Sequence, residues 1–199
     1  MNGDDLSKIL DFMFVVDRAK TIERAGYIHD QTRHETDGEH MWHAALWAMV
    51  LHKTTKADWD LCRVLCMLLI HDLVEIYAGD TYAYDEGAKA SQAERENKAA
   101  AKLFSSLPED LRHWITELWT EFTEEQTPEA LYANAIDRLQ GFAQNCISGG
   151  RSWKENKITK ETTFPRTSLP RSLDNYMAAI VEKLYEIADS KKLWHEQDK

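Results

Sequence analysis

Cysteine is scarce in this chain. Cys62, Cys66 and Cys146 are too few and too odd in number for a disulfide framework. Cys62 and Cys66 stand four apart in an apolar helical run, where core packing outweighs metal binding. Long apolar runs are absent too. No stretch approaches the roughly 18 residues of a membrane span, and the acidic start MNGDDLSKIL has no signal-peptide core. The cytoplasm is therefore the expected location, with no membrane partner. Basic residues are outnumbered, 24 against 34 acidic, for a net charge of −10. That argues against a nucleic-acid surface, which needs a basic stripe to neutralise phosphates. It leaves room for a small phosphorylated substrate, because a bound cation and one or two arginines reverse the local sign. There is no G-x-x-x-x-G-K phosphate loop and no G-x-S-x-G elbow.

What is present is helical periodicity over nearly the whole length, with almost no strand signal. The 199 residues suit one domain with a substantial core, and the seven Trp suit large helix contacts. Leu6, Ile9, Leu10, Met13 and Phe14 recur at helical spacing, predicting a first helix from about Asp5 toward Arg24. Residues 26–38 read as a polar loop. A second helix starts near Asp37, carrying His40 and His43. A third runs from about Asp58 through Leu61, Leu65 and Leu68 to about Tyr77, and its apolar character marks it as central. After a loop at 79–90, Ser91 with Glu94 predicts a capping box, and Ser106 with Glu109 opens the next helix. In that helix Trp114, Trp119 and Phe122 read as core or a dimer face. Thr127-Pro128-Glu129 start a helix that stops at Gly149-Gly150. An irregular stretch with Pro165 and Pro170 precedes a last helix over about 172–192. The expected fold is all-α: a single compact helical bundle over 1–199, with a catalytic core at about 9–150.

His71-Asp72 directly follows the apolar MLLI. An ionisable pair there is costly to bury without a partner. A divalent ion answers that cost, since imidazole nitrogen and carboxylate oxygen are ordinary ligands. Glu75 falls on the same side of the helix, either as a general base for water or as a hydrogen-bond partner of a neighbour. His40 and His43 are equal candidates for a further ligand. Asp137, in ALYANAIDRLQGF, reads as buried and needs either an arginine such as Arg138 or a metal.

The order His, then His-Asp, then Asp, on separate helices, resembles the HD-domain phosphohydrolase superfamily. GEHMWHAALWAMVL looks like its first-histidine helix, IHDLVEIYAGDT like its His-Asp helix, and NAIDRLQ like the source of the final Asp. ERAGYIHDQTRHE resembles the Arg-containing loop of the 5′-deoxynucleotidase branch. The likeness runs from about Ile9 to Gly150. It implies one divalent transition metal (Mn, Co, Fe, Ni or Zn) on His40, His71, Asp72 and Asp137, choosing His40 over His43. It implies that Glu75 activates water and that Asp80 meets the sugar or leaving group. Arg24 would meet the phosphate and Tyr27 the nucleoside, though Tyr27 stands where many relatives carry Trp. Arg33 is a rival phosphate ligand. The implied activity is release of phosphate from 5′-deoxynucleoside monophosphates by a homodimer.

The same ligands also serve hydrolases of triphosphates, cyclic nucleotides and guanosine polyphosphates. The last carry Glu-Asp shortly after His-Asp, where this chain has Glu75-Ile76. A non-catalytic module that keeps a structural metal is the rival of another class. The two separate on whether Arg24, Glu75 and Asp80 converge on the ligands in a pocket.

Overall fold

The computed structural model describes residues 3–55 and 58–196, so both ends of the domain expected over 1–199 lie outside the described residues. In chain order its elements are α1 (Gly3–Val16), β1 (Glu23–Tyr27), β2 (His34–Thr36), α2 (Asp37–His52), α3 (Leu61–Ile70), α4 (Glu75–Ala78) and α5 (Glu86–Lys89). They continue with α6 (Gln92–Phe104), α7 (Glu109–Glu124), α8 (Pro128–Ile147), α9 (Arg151–Glu155), α10 (Phe164–Leu173) and α11 (Asn175–Ser190). Among the described residues, no helix is long and apolar enough to cross a membrane. The fold is all-α apart from one antiparallel hairpin.

The central helix is α8, not the more apolar third helix that the sequence favours. Thr127 caps it by accepting from Ala130 N at 3.1 Å, and Pro128 opens its first turn. Fourteen of its 20 residues are buried, so it is surrounded on all sides. Small side chains let neighbours close in: Ala130, Ala133 and Ala143 on α8, and Ala44 and Ala48 on α2. Val64, Met67 and Leu68 of α3 and Met177 and Val181 of α11 complete this core. A second cluster packs Leu103 and Phe104 of α6 and Trp119 of α7 over Leu73, Val74 and Ile76. Of the other aromatics on α7, Trp114 is exposed and Phe122 lies against His71, the rings tilted by 40° with centroids 4.7 Å apart.

Several boundaries differ from expectation. The apolar recurrence of α1 ends at Val16, and the chain turns through 17–21 into β1. Residues 23–36, expected as helix end and loop, form the hairpin, with Glu23 opposite Thr36 and Tyr27 opposite His34. Ser91 makes no side-chain cap; Asp85 instead caps α5 by accepting from Ala88 N. Ser106 also caps nothing, because its hydroxyl donates back to Leu103 O. The stretch with Pro165 and Pro170 is helical (α10), with Pro165 in the first turn where no intrahelical donor is needed. Cys66 is half-buried but Cys62 is exposed, against core packing for the pair.

α8 ends as the glycine pair predicts. Gly150 has φ +68° and donates to Asn145 O at 2.8 Å. A Cβ there would collide with the Leu193 carbonyl and lie 2.7 Å from Leu193 Cβ. Gly150→Ala therefore combines left-handed strain with overpacking. It should destabilise the protein by about 2–4 kcal/mol in urea unfolding, and a parent-like midpoint would refute the packing argument.

Candidate metal centre

Three chain breaks aim side chains at one point. The hairpin carries Arg24 inward and leads directly into α2. Thr36 and Glu39 form a capping box that fixes the first residue of α2, and hence the direction of His40, which is fully buried. α3 stops at Ile70, whose φ of −123° leaves the helical well, and His71–Val74 continue as a tighter turn. On a regular helix adjacent side chains diverge by about 100°. Across this break His71 Nε2 and Asp72 Oδ2 are only 3.2 Å apart. Asp137 comes from the middle of α8.

The four expected ligands meet. His40 Nε2 lies 3.0 Å from Asp137 Oδ1 and 3.7 Å from Asp72 Oδ2. His71 Nε2 lies 3.8 Å from Asp137 Oδ1. The outer nitrogens are held by oxygens: His71 Nδ1 by Leu68 O at 3.0 Å, and His40 Nδ1 by Gln140 Oε1 at 2.6 Å. Gln140 Nε2 in turn donates to Glu35 Oε1 at 2.9 Å, which fixes the amide orientation. With those oxygens accepting, Nδ1 of each ring carries a proton, and each Nε2 faces the carboxylates. His71 Nε2 is buried with no hydrogen-bond partner. Two neutral imidazoles and two carboxylates are a donor set that suits a divalent ion.

A second acidic group adjoins the first. Asp37, Glu75 and Asp80 bring carboxylate oxygens within 4.8 Å of one another. Arg24 Nη1 links the two groups, 2.5 Å from Asp72 Oδ2, 3.4 Å from Asp37 Oδ1 and 3.9 Å from Asp80 Oδ1. Asp37 is fully buried and its Oδ2 has no partner, nor has Glu75 Oε2. Burial, reinforced by Asp72 and Asp80 against Arg24, raises the Asp37 pKa to about 7. Burial and Asp72 hold Glu75 well above the usual carboxylate range, and burial raises Asp80 as well. Burial opposes charge on His71, but Asp72 and Asp137 outweigh it and raise its pKa to about 10. Negative charge is in excess, which a dication would balance.

All of these groups except His40 and Asp37 line a cavity of about 290 Å³. Arg24, Glu75 and Asp80 thus converge beside the ligands. Two expected residues do not reach it. Tyr27 is buried on the far side of β1, where its hydroxyl donates to Glu155 Oε2 at 2.9 Å and its ring stacks on His34. Arg33 is exposed and bonds Glu39 at 2.6 Å, bracing the start of α2. His43 accepts from Trp47 Nε1 at 3.0 Å, and its Nδ1 lies 3.1 Å from Gln140 Nε2, beside the amide that holds His40. Arg138 pairs with Glu125, and Asp137 takes Arg166 instead, at 3.0 Å from Oδ2. Sequence reasoning missed Asp37, Gln140 and Arg166. Gln140 had a signal, since it stands three residues after Asp137 on the same helical face.

The HD domain family model matches residues 16–177. The chain is 30% identical over 144 residues to the 5′-deoxynucleotidase HDDC2 of Homo sapiens, covering 72% of this chain and 69% of that protein. It is 27% identical over 169 residues to the 5′-deoxynucleotidase HDDC2 of Dictyostelium discoideum, covering 81% and 89%. Among solved structures, a predicted metal-dependent phosphohydrolase from Magnetospirillum magnetotacticum MS-1 superposes with a TM-score of 0.83 at 36% identity, covering 97% of both chains.

The raised carboxylates set a pH dependence for the chelator-treated protein. Asp37 ordinarily titrates near 3.8 and in the fold near 7. Between those values the folded state holds a proton that the unfolded state has released, so stability falls as pH rises through this window. Glu75 and Asp80 act in the same direction. Asp37→Asn should flatten the decline of the melting midpoint between about pH 4 and 7. An equal decline in parent and variant would remove Asp37 as a source.

Proposed function

This chain belongs to the HD-domain family, and from that premise we propose that it is a divalent-metal-dependent phosphohydrolase that releases phosphate from 5′-deoxynucleoside monophosphates. The observation that carries this reading is the convergence of His71, Asp72 and Asp137 with Arg24, Glu75 and Asp80 on one cavity, with His40 buried directly behind them. The cavity is at the small end of ligand pockets, which run to about 300–1,000 Å³, and suits one small phosphorylated molecule. The 5′-deoxynucleotidase names of the relatives support the substrate class.

His40, His71, Asp72 and Asp137 are the proposed ligands. An ion on them would supply Lewis-acid polarisation of a phosphoryl oxygen. The chain's own groups do the rest. Arg24 offers remaining guanidinium donors to the phosphate while holding Asp72 in place. Glu75 Oε2, buried and unpartnered, accepts a proton from the attacking water. The water oxygen bonds to phosphorus as the bond to O5′ breaks. Asp80, also raised in pKa, returns a proton to the departing O5′. The products are inorganic phosphate and a deoxynucleoside.

A homodimer is the proposed assembly. Trp42, Leu46, Met49 and Val50 form an exposed apolar stripe along α2, a surface suited to a second copy of this chain. Sedimentation should give a dimer with the parent and a weaker one with Trp42→Glu; a monomeric parent would remove the proposal.

The function is tested by phosphate release from nucleoside mono-, di- and triphosphates with Mn, Co, Mg, Ni and Zn. Deoxynucleoside monophosphates should be turned over best, and preference for triphosphates, or pyrophosphate as product, would rule the reading out. Two variants then separate binding from chemistry. Asp137→Ala should lose ion and activity together. Glu75→Gln should keep the ion and substrate affinity while kcat falls by about 10²–10⁴-fold. Loss of the ion from Glu75→Gln would make Glu75 a ligand, and parent-rate turnover would move the base elsewhere.

A further inference from the structure

A phosphate monoester entering this cavity is a dianion approaching the carboxylates of Asp72, Glu75, Asp80 and Asp137. It needs positive charge that those carboxylates have not already taken. Arg24 is a poor source on its own. Its Nη1 lies within 3.9 Å of Asp72, Asp37 and Asp80, and its side chain is only 16% exposed. Most of its charge is spent inside the acidic cluster.

Arg166 is differently placed. It reaches the ligand set from α10, through one hydrogen bond from Nη2 to Asp137 Oδ2 at 3.0 Å. Asp137 Oδ1 is the oxygen facing the two imidazoles, so Arg166 binds the opposite oxygen and leaves that edge clear. A guanidinium has five N–H donors in a planar fork. Among the described residues, Arg166 has no other hydrogen-bond or ion-pair partner, and its side chain is 30% exposed. It lines the same cavity as Arg24, Glu75 and Asp80. It is thus a cation with unspent donors at the cavity wall, anchored at one corner by a proposed ligand. Tethered in this way, the fork loses little further freedom when it meets a tetrahedral oxyanion.

We propose that Arg166 is a second phosphate-binding residue, taking phosphoryl oxygens of the substrate through the donors that Asp137 leaves free. Arg24 and Arg166 then hold the phosphate from two sides, each attached to one carboxylate of the ligand set. This rests on the monophosphatase reading above.

The test compares the parent with Arg166→Gln and Arg166→Lys, each loaded with Mn. It reads ion content, melting midpoint, binding of inorganic phosphate by calorimetry, and KM and kcat for a deoxynucleoside monophosphate. Arg166→Gln should weaken phosphate binding and raise KM by about 10–100-fold, the usual range for one lost charge-assisted contact. Its ion content and melting midpoint should stay near the parent's. Arg166→Lys keeps the charge but not the fork and should recover part of the affinity. Parent-like phosphate binding and KM in Arg166→Gln would overturn the proposal. So would loss of the ion with KM unchanged, in both variants, which would make Arg166 only a support for Asp137. If Arg166→Gln does not fold, Arg166→Lys alone decides, with weakened phosphate binding at full ion content supporting the proposal and parent-like binding overturning it. A parent that binds phosphate but hydrolyses no monophosphate would sink the monophosphatase reading, and the phosphate calorimetry would still judge Arg166.

Discussion

The organising constraint is an excess of buried negative charge. Asp37, Asp72, Glu75, Asp80 and Asp137 come together with two guanidiniums and two imidazoles. Carboxylates removed from water repel one another and lose hydration, at a cost of several kcal/mol per ion even after relaxation. Nothing in a hydrophobic core offsets that. Arg24 across the two acidic groups and Arg166 behind Asp137 compensate part of it, and a dication among the donors would compensate more. The same excess makes the site useful. Buried carboxylates held above their ordinary range are candidates for proton transfer.

Much of the rest of the fold positions this charge. α8 is buried all round, yet its buried face includes Asn134, Asp137, Gln140, Gln144 and Asn145. Each of these except Asp137 spends an amide on backbone or side-chain partners, as Asn134 does on Phe122 O and Gln144 on Tyr27 O. Gln140 sets the tautomer of His40. The capping box on α2 and the break after Ile70 supply the angles that continuous helices lack. The Arg33–Glu39 pair is an exposed ion pair and contributes little energy alone, but it adds to the bonds that hold Glu39 in the cap.

The sequence exposed the ligands better than their surroundings. His71-Asp72 after an apolar run, and Asp137 inside another, are polar residues where periodicity demands apolar ones, and the structure brings them together with His40. The hairpin was not legible, because strands of five and three residues carry too few positions to show alternation. The family resemblance implies that Tyr27 meets the nucleoside, yet in the hairpin it packs against Glu155 and Arg151 rather than lining the cavity. α10 was hidden by its two prolines, and Arg166 with it. Asp37 reads as an ordinary helix-start acid, and nothing local distinguishes one that faces inward.

His40 and Asp137 are 97 positions apart in the chain, and His40 and Gln140 are 100 apart. The individual helices form from local contacts, but these groups meet only when the two halves of the chain dock. Until then Asp137 keeps its water. The dehydration of Asp137 and of the imidazole edges it faces therefore comes with that one long-range closure, whose loop entropy must be lost first.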